Sequence, residues 1–451
     1  MNLFSIAFHS LRQRWLASSL TMLSVALGVM LMVTVLIVNG IMDRMFSQSA
    51  SGYDLIIGGK GSALQLVLTS IYRVSAPIEP LPYLYFLELI KDERIETAIP
   101  LAIGDVTQEG AFPIVGTTSK FFDVDYIPKK RFRVQGDFLQ QPFDSVIGSV
   151  VARENGWKVG DQFTMVHGGA EGHVHDEKFT IRGVLAATGT PNDKTVFVHL
   201  EGFYLLDDHE KPGGEAVNRW REFNGKEPLK GEELEAEIQR WGIEKHDHSA
   251  HGDDGHQHHA HGLTDVQKEV TAVLVNMAGK KYGAFAQMQF ENEIQEGFKA
   301  QAANPAKEIY WLMTNVVGSV RTILVILTGL IIIVSGVGIF VSIYNSMSER
   351  KKEIAIMRAL GASRGKVFSI ILLESILLCV GGGLGGVLMG HGLVFLSADI
   401  IEGRTGVLIN PWAFEIMEVY VVAVLVALAS VVGFIPGITA YRTDVAQTLS
   451  S

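Results

Sequence analysis

Four stretches of the chain are almost free of polar residues. Residues 16–41, 316–345, 367–396 and 417–440 are dominated by Val, Ile, Leu, Met and Gly, and each reaches the roughly 20 apolar residues that a helix needs to cross a bilayer. A helix satisfies its own backbone polar groups in lipid, so four transmembrane helices are expected. The first is longer than the roughly 7 to 15 apolar residues of a signal-peptide core. No small-x-small cleavage pattern stands at Asn39, Gly40 and Ile41, so this span is expected to be retained. Ahead of it, Leu3, Phe4, Ala7, Phe8, Leu11 and Trp15 recur at helical spacing beside Arg12 and Arg14. That pattern predicts an amphipathic helix over 1–15, lying on the inner membrane face.

The segment 42–315 has the patterning of a folded extramembrane domain, and its length suffices for one or two cores. Thr164–Val166, Phe179–Val184 and Thr195–His199 alternate as strands, and a short helix is expected from Ser149. Gly160-Asp161 marks a turn, and Gly189, Pro191 and Asn192 punctuate the connection before the last strand. Glu232–Trp241 and Gln287–Ala303 read as helices. The fold class is therefore an α-helical membrane protein with a large α+β domain inserted between its first and second spans, and a more helical lobe flanking the sheet.

Charge sets the orientation. Arg12 and Arg14 precede the first span with no acid nearby, and the 346–366 loop carries Arg350, Lys351, Lys352, Arg358, Arg364 and Lys366 against Glu349 and Glu353. By the positive-inside rule both belong in the cytosol, together with the tail 441–451. The 397–416 loop and the 42–315 domain then lie outside, in the periplasm of a bacterial inner-membrane protein. The mean hydropathy is positive, yet the net charge is −10, which disfavours a nucleic-acid partner. The lone cysteine, Cys379, sits in the third span, so the outer domain folds without a disulfide.

Within the 346–366 loop, Glu353, Ile354, Ile356, Met357 and Leu360 give a short helix an apolar side. Arg350, Lys352 and Arg358 surround it, and Gly361 ends it. The residues alone leave two readings open: a helix that docks a cytosolic partner, or a basic loop resting on anionic lipid. In the third span, Gly382, Gly386 and Gly390 have the small-xxx-small spacing of close helix packing. Glu374 in that span reads as a structural polar contact, His391 as a side chain packed against backbone, and Arg321 as a residue that snorkels.

The tract HDHSAHGDDGHQHHAHG places His246, His248, His251, His256, His258, His259 and His261 among three aspartates, while His173 and His175 lie in another loop. Neutral imidazole ligates zinc and other divalent metals. Two readings stay open here as well: a metal-sensing or hand-over loop that binds Zn2+, or a solvated linker. No H-E-x-x-H is present, and Gly58–Ser62 lacks a complete phosphate-binding G-x-x-x-x-G-K-[ST] motif. No catalytic residue is therefore assigned, and ATP hydrolysis is expected on another chain.

The amphipathic start, the first span, an outer domain containing VGDQFTM and GVLAATGTPNDKTVFV, and three later spans with EIAIMRALGASRGKVFSIILLES and PGITAYRTDVAQTL together resemble the MacB/FtsX-like permeases of type VII ABC transporters. An insertion near 207–262 departs from the pattern. The resemblance implies a non-catalytic permease subunit working by mechanotransmission. It would pair with a cytosolic ABC ATPase dimer and with a second permease copy, and a homodimer is favoured. Arg350, Lys352, Glu353, Ile354, Ile356, Met357, Arg358, Leu360 and Gly361 would form the coupling helix. An envelope substrate such as a lipoprotein, amphiphile or peptide is expected, with a periplasmic lipoprotein or metal-binding protein as a further partner. An FtsX-like signalling subunit and a component of divalent-metal handling are the alternatives.

Overall fold

The computed structural model describes residues 3–49, 52–167, 172–206, 209, 211–243, 263–349, 351–405, 410–412, 414 and 416–442. The chain divides into two compact units, one built on the long apolar helices and the other running from Arg44 to Leu312. Among the described residues, four helices are long and apolar enough to cross a membrane, through Trp15–Asp43, Pro305–Asn345, Arg364–Glu402 and Ile416–Ile438.

In the helical unit, Leu3–Gln13 forms a short helix before Trp15–Ser49. Gly382, Gly386 and Gly390 of the third span lie against the first span. A Cβ on Gly382 would sit 2.8 Å from the Met22 carbonyl oxygen, one on Gly386 2.6 Å from that of Ala26, and one on Gly390 2.9 Å from Val33 Cγ1. Only hydrogen fits at such a backbone approach. Gly28 of the first helix faces Ile331, and the Ser24 and Ser335 hydroxyls meet at 3.1 Å, joining the first span to the second. Gly336 meets Leu428 of the fourth span, and Gly437 meets Phe368 of the third.

Among the described residues, the outer unit contains twelve strands: β1 Leu55–Gly58, β2 Leu81–Pro82, β3 Ile95–Thr107, β4 Pro113–Thr117, β5 Val134–Gly136, β6 Asp144–Ile147, β7 Gln162–His167, β8 His173–Leu185, β9 Val196–His199, β10 Glu269–Val270, β11 Ala272–Met277 and β12 Gln301–Ala303. The long β3 belongs to two layers. Its first half pairs antiparallel with β11, which continues through β1 to β12. Its second half pairs with β4 and β7. From there the pairings run β4–β9–β6–β8–β7 and return to β3, closing a six-stranded ring. Closure removes the exposed edges that an open sheet would leave.

Side-chain alternation fills the ring. Phe163 and Met165 of β7, Phe179 and Ile181 of β8, and Val196 and Val198 of β9 form one buried core. A second core gathers Leu55, Ile57, Val273 and Val275 with Phe86, Leu89 and Phe290 from helices Tyr83–Leu89 and Gly279–Glu296. The strands expected at 164–166, 179–184 and 195–199 correspond to β7, β8 and β9, and the helices expected from Ser149 and over 232–241 correspond to Ser149–Asn155 and Gly231–Arg240.

The expected helix over 287–303 needs correction. It ends at Glu296, and Gln301–Ala303 is instead strand β12, paired with Ile56–Gly58. Gln-Ala-Ala favours a helix locally, but the unpaired edge of β1 offers a ladder and the core accepts Ala300 and Ala302, so tertiary pairing overrides propensity.

Candidate functional site

Three groupings of residues have a form that packing alone does not explain, two in the helical unit and one in the other. In the helical unit, Lys351–Ala359 is a separate short helix between the second and third spans. Ile354 and Ala355 are buried, and Ile354 joins the core that includes Ile343, Val367 and Ile371. Met357 packs against the same core. Ile356 and Leu360, one turn apart, point the other way and are 50% and 84% exposed. Arg358 is half-buried. The helix is stopped by Gly361, whose φ of 101° suits glycine. Its N–H donates to Arg358 O, and Ala362 N–H donates to Met357 O. Lys352 and Glu353 lie in the helix, whereas Arg350 falls outside the described residues. The apolar residues read from sequence as one face are therefore split. Ile354 and Met357 hold the helix to the spans, and Ile356 and Leu360 are presented outward.

The C-terminal part of the third span and the start of the fourth meet in a polar contact. His391 Nδ1 lies 2.7 Å from Pro411 O and Nε2 lies 3.0 Å from Glu418 Oε2, with both side chains buried. The contact with Pro411 O is the backbone packing that the sequence predicts for His391. The carboxylate partner was not foreseen, because Glu418 stands at the edge of its apolar stretch. Glu374 is buried within the third span.

In the outer unit, Asp105 of β3, His167 of β7, His175 of β8 and His209 offer ligand atoms that all lie within 4.8 Å of one another. Strand register produces this convergence. Val106 pairs with Val166, and His167 pairs with His173, two residues before His175. His167 ends β7 beside the buried Val166 and is itself exposed. His209 follows helix Leu200–Tyr204, and its ring packs 4.3 Å from that of Phe203.

The hydrogen bonds around the cluster are uneven. His167 Nδ1 is 2.9 Å from Asp105 Oδ1. His209 Nδ1 is 2.8 Å from Phe203 O, which can only accept, so this nitrogen carries the proton. Among the described residues, His209 Nε2 and Asp105 Oδ2 make no hydrogen bond, although they are buried and only 3.0 Å apart. The two atoms are close enough for an ion pair when the ring is protonated. The set of residues could hold a metal ion. His246, His248, His251, His256, His258, His259 and His261 lie outside the described residues. Of the cluster, sequence patterning singled out only His175.

Two family models match the chain: the MacB-like periplasmic core domain over residues 18–222 and the FtsX-like permease C-terminal over residues 325–445. In this order they take in most of the first span, much of the outer unit and the later spans. The chain belongs to the MacB/FtsX-like permeases of type VII ABC transporters. Among curated relatives, the macrolide export ATP-binding/permease protein MacB of Rhodopirellula baltica is 27% identical over 40% of this chain and 26% of its own length. The uncharacterized ABC transporter permease YknZ of Bacillus subtilis is 36% identical over 20% of this chain and 21% of its own. The chain thus spans about a quarter of the length of these relatives. The crystal structure of the periplasmic region of MacB from Actinobacillus actinomycetemcomitans matches 59% of this chain and 95% of its own, at 12% identity and a TM-score of 0.32.

Proposed function

We propose that this chain is the permease subunit through which a separate cytosolic ABC ATPase dimer drives movements of a periplasmic domain. In this reading 1–15 lies on the inner face of the bacterial inner membrane, 16–41, 316–345, 367–396 and 417–440 cross it, and 42–315 is periplasmic with the 397–416 loop. The 346–366 loop and the 441–451 tail are cytosolic. The observation that carries the reading is the exposed pair Ile356 and Leu360 on a helix whose opposite residues, Ile354 and Met357, are fixed in the core of the spans. Such a helix gives a partner an apolar grip and transmits the partner's displacement to the span bundle as a rigid lever.

Cargo need not pass through the bilayer centre. The buried ionisable groups described within the spans are Glu374, His391 and Glu418, and the last two face each other, which is too little for a hydrophilic path. The substrate class is an envelope amphiphile, lipoprotein or peptide handled by the outer domain, and two permease copies assemble around one ATPase dimer. The His-rich tract 246–261 makes the movement responsive to zinc.

The test is co-purification of the native ATPase with Ile356→Asp and Leu360→Asp variants. A carboxylate at either position should reduce ATPase association and stimulation at least about tenfold, the effect of roughly 1.4 kcal/mol lost at an apolar contact. Unchanged association and turnover in both variants would remove the docking role.

A further inference from the structure

We propose that Asp105, His167, His175 and His209 form a zinc site that ties the start of the insertion to the strand ring, a site separate from the His-rich tract. The proposal is independent of the permease reading, since it rests on the outer unit alone.

The donor set is suitable. Three imidazoles and one carboxylate match the nitrogen and oxygen ligands that zinc takes in four-coordinate sites. Tetrahedral coordination at about 2.0–2.1 Å places ligand atoms about 3.4 Å apart. The four atoms here lie within 4.8 Å of one another without an ion, so small side-chain rotations complete the geometry. Three of the four come from β3, β7 and β8, whose pairing is fixed by backbone hydrogen bonds. Only His209 lies on a connecting segment.

The stronger argument is the arrangement of protons and lone pairs. His209 Nδ1 carries its proton toward Phe203 O, so in the neutral ring Nε2 presents a lone pair to the interior. The atom it meets, at 3.0 Å, is Asp105 Oδ2, another acceptor. Neither atom has a hydrogen bond among the described residues; with the ring neutral they are two facing acceptors that repel in a buried site, and with it protonated they form an ion pair. A cation between them would turn this repulsion into two bonds. The hydrogen bond from the other ring nitrogen to a backbone carbonyl is also the usual second interaction of a metal-bound histidine, which fixes the tautomer and the ring plane.

Access and packing agree with an ion that enters from solvent. The His167 side chain is 53% exposed, whereas those of Asp105 and His209 are 1% and 2% exposed. His175 is buried, its ring 4.9 Å from that of His209 and 6.3 Å from that of His167. One ligand would thus meet the incoming ion, and the others would receive it away from water. An occupied site would join β3, the β7–β8 pair and the segment after Tyr204, where the insertion begins.

The experiment uses the full-length chain in mild detergent, purified through a tag without histidine. His246, His248, His251, His256, His258, His259 and His261 are all changed to Asn, so that the tract contributes no ligands. After dialysis against micromolar free Zn2+, the chain should retain one zinc, and Co2+ in its place should give the intense visible absorption of a four-coordinate ion. His175→Ala and His209→Ala should each reduce retained metal at least tenfold, and Asp105→Asn should weaken it. Retention of no zinc by the tract-substituted chain would overturn the proposal, whether or not the single variants fold. So would undiminished retention in both histidine variants, or the pale spectrum of six-coordinate Co2+.

Discussion

Asp144 shows how one carboxylate holds a turn of the outer unit. It accepts from the Gln140 and Gln141 amides at 3.0 and 2.7 Å and from Arg182 Nε at 2.8 Å. Burial alone would raise its pKa, but the Arg182 hydrogen bond and the two amides outweigh burial and hold it below the usual carboxylate range. A carboxyl with a lower pKa in the folded than in the unfolded chain stabilises the fold above its unfolded value near about 3.9. That contribution is lost as pH falls through the folded value. Asp144→Asn should therefore cost about 1 to 2 kcal/mol near neutral pH, with an amide facing two backbone donors. Denaturant unfolding of the full chain at pH 7 and pH 3 checks this, because the gap between variant and parent should narrow as pH falls below the unfolded value. The same scale explains what the sequence concealed. Asp105, His167 and His209 are separated from one another by tens of residues, and none sits in a motif. Strand register alone brings the first two together, so the dense run His246–His261 drew the metal reading instead.

At the scale of elements, the four apolar helices and the small-residue spacing were legible because both follow from composition and the helical period. What filled the glycine face was not, since spacing names no partner. The structure assigns it to the first span, and two substitutions separate this contact from helix propensity. Gly386→Val should disrupt the bundle, because its first added carbon would meet the Ala26 carbonyl and Val29 Cβ, both at 2.6 Å; overpacking of this kind costs about 1–3 kcal/mol. At Gly392, six residues further along the same helix, an added Cβ meets nothing within 4 Å, so Gly392→Val should be tolerated. Heating the detergent-solubilised proteins and following the monodisperse peak by size-exclusion chromatography should show the first lost at a lower temperature than the parent and the second unchanged. Among the strands, β7, β8 and β9 were legible by alternation, whereas β12 was not. Three residues with good helix propensity carry no strand signal, and the edge of β1 supplies the reason for their conformation.

For the whole molecule, the ring β3–β4–β9–β6–β8–β7 could not be read from the chain, since β4 pairs in parallel with β9 across about 80 residues of sequence and local pattern does not encode such partners. Orientation, by contrast, rests on charge alone. The stretch from Arg350 to Lys366 carries six basic residues, and moving this loop outward would oppose the bias that sets topology. With the only cysteine, buried Cys379, changed to Ser, single reporters can be placed at exposed positions of the two units. Glu232→Cys on helix Gly231–Arg240 and Leu360→Cys beyond Lys351–Ala359 serve this purpose. A membrane-impermeant maleimide added to intact spheroplasts should label the first and leave the second unmodified, and permeabilisation should make both reactive. The reverse pattern would place the docking helix on the wrong side for an ATP-driven partner. That result would overturn the coupling proposal, while the zinc site, which depends on no membrane orientation, would still stand on its own test.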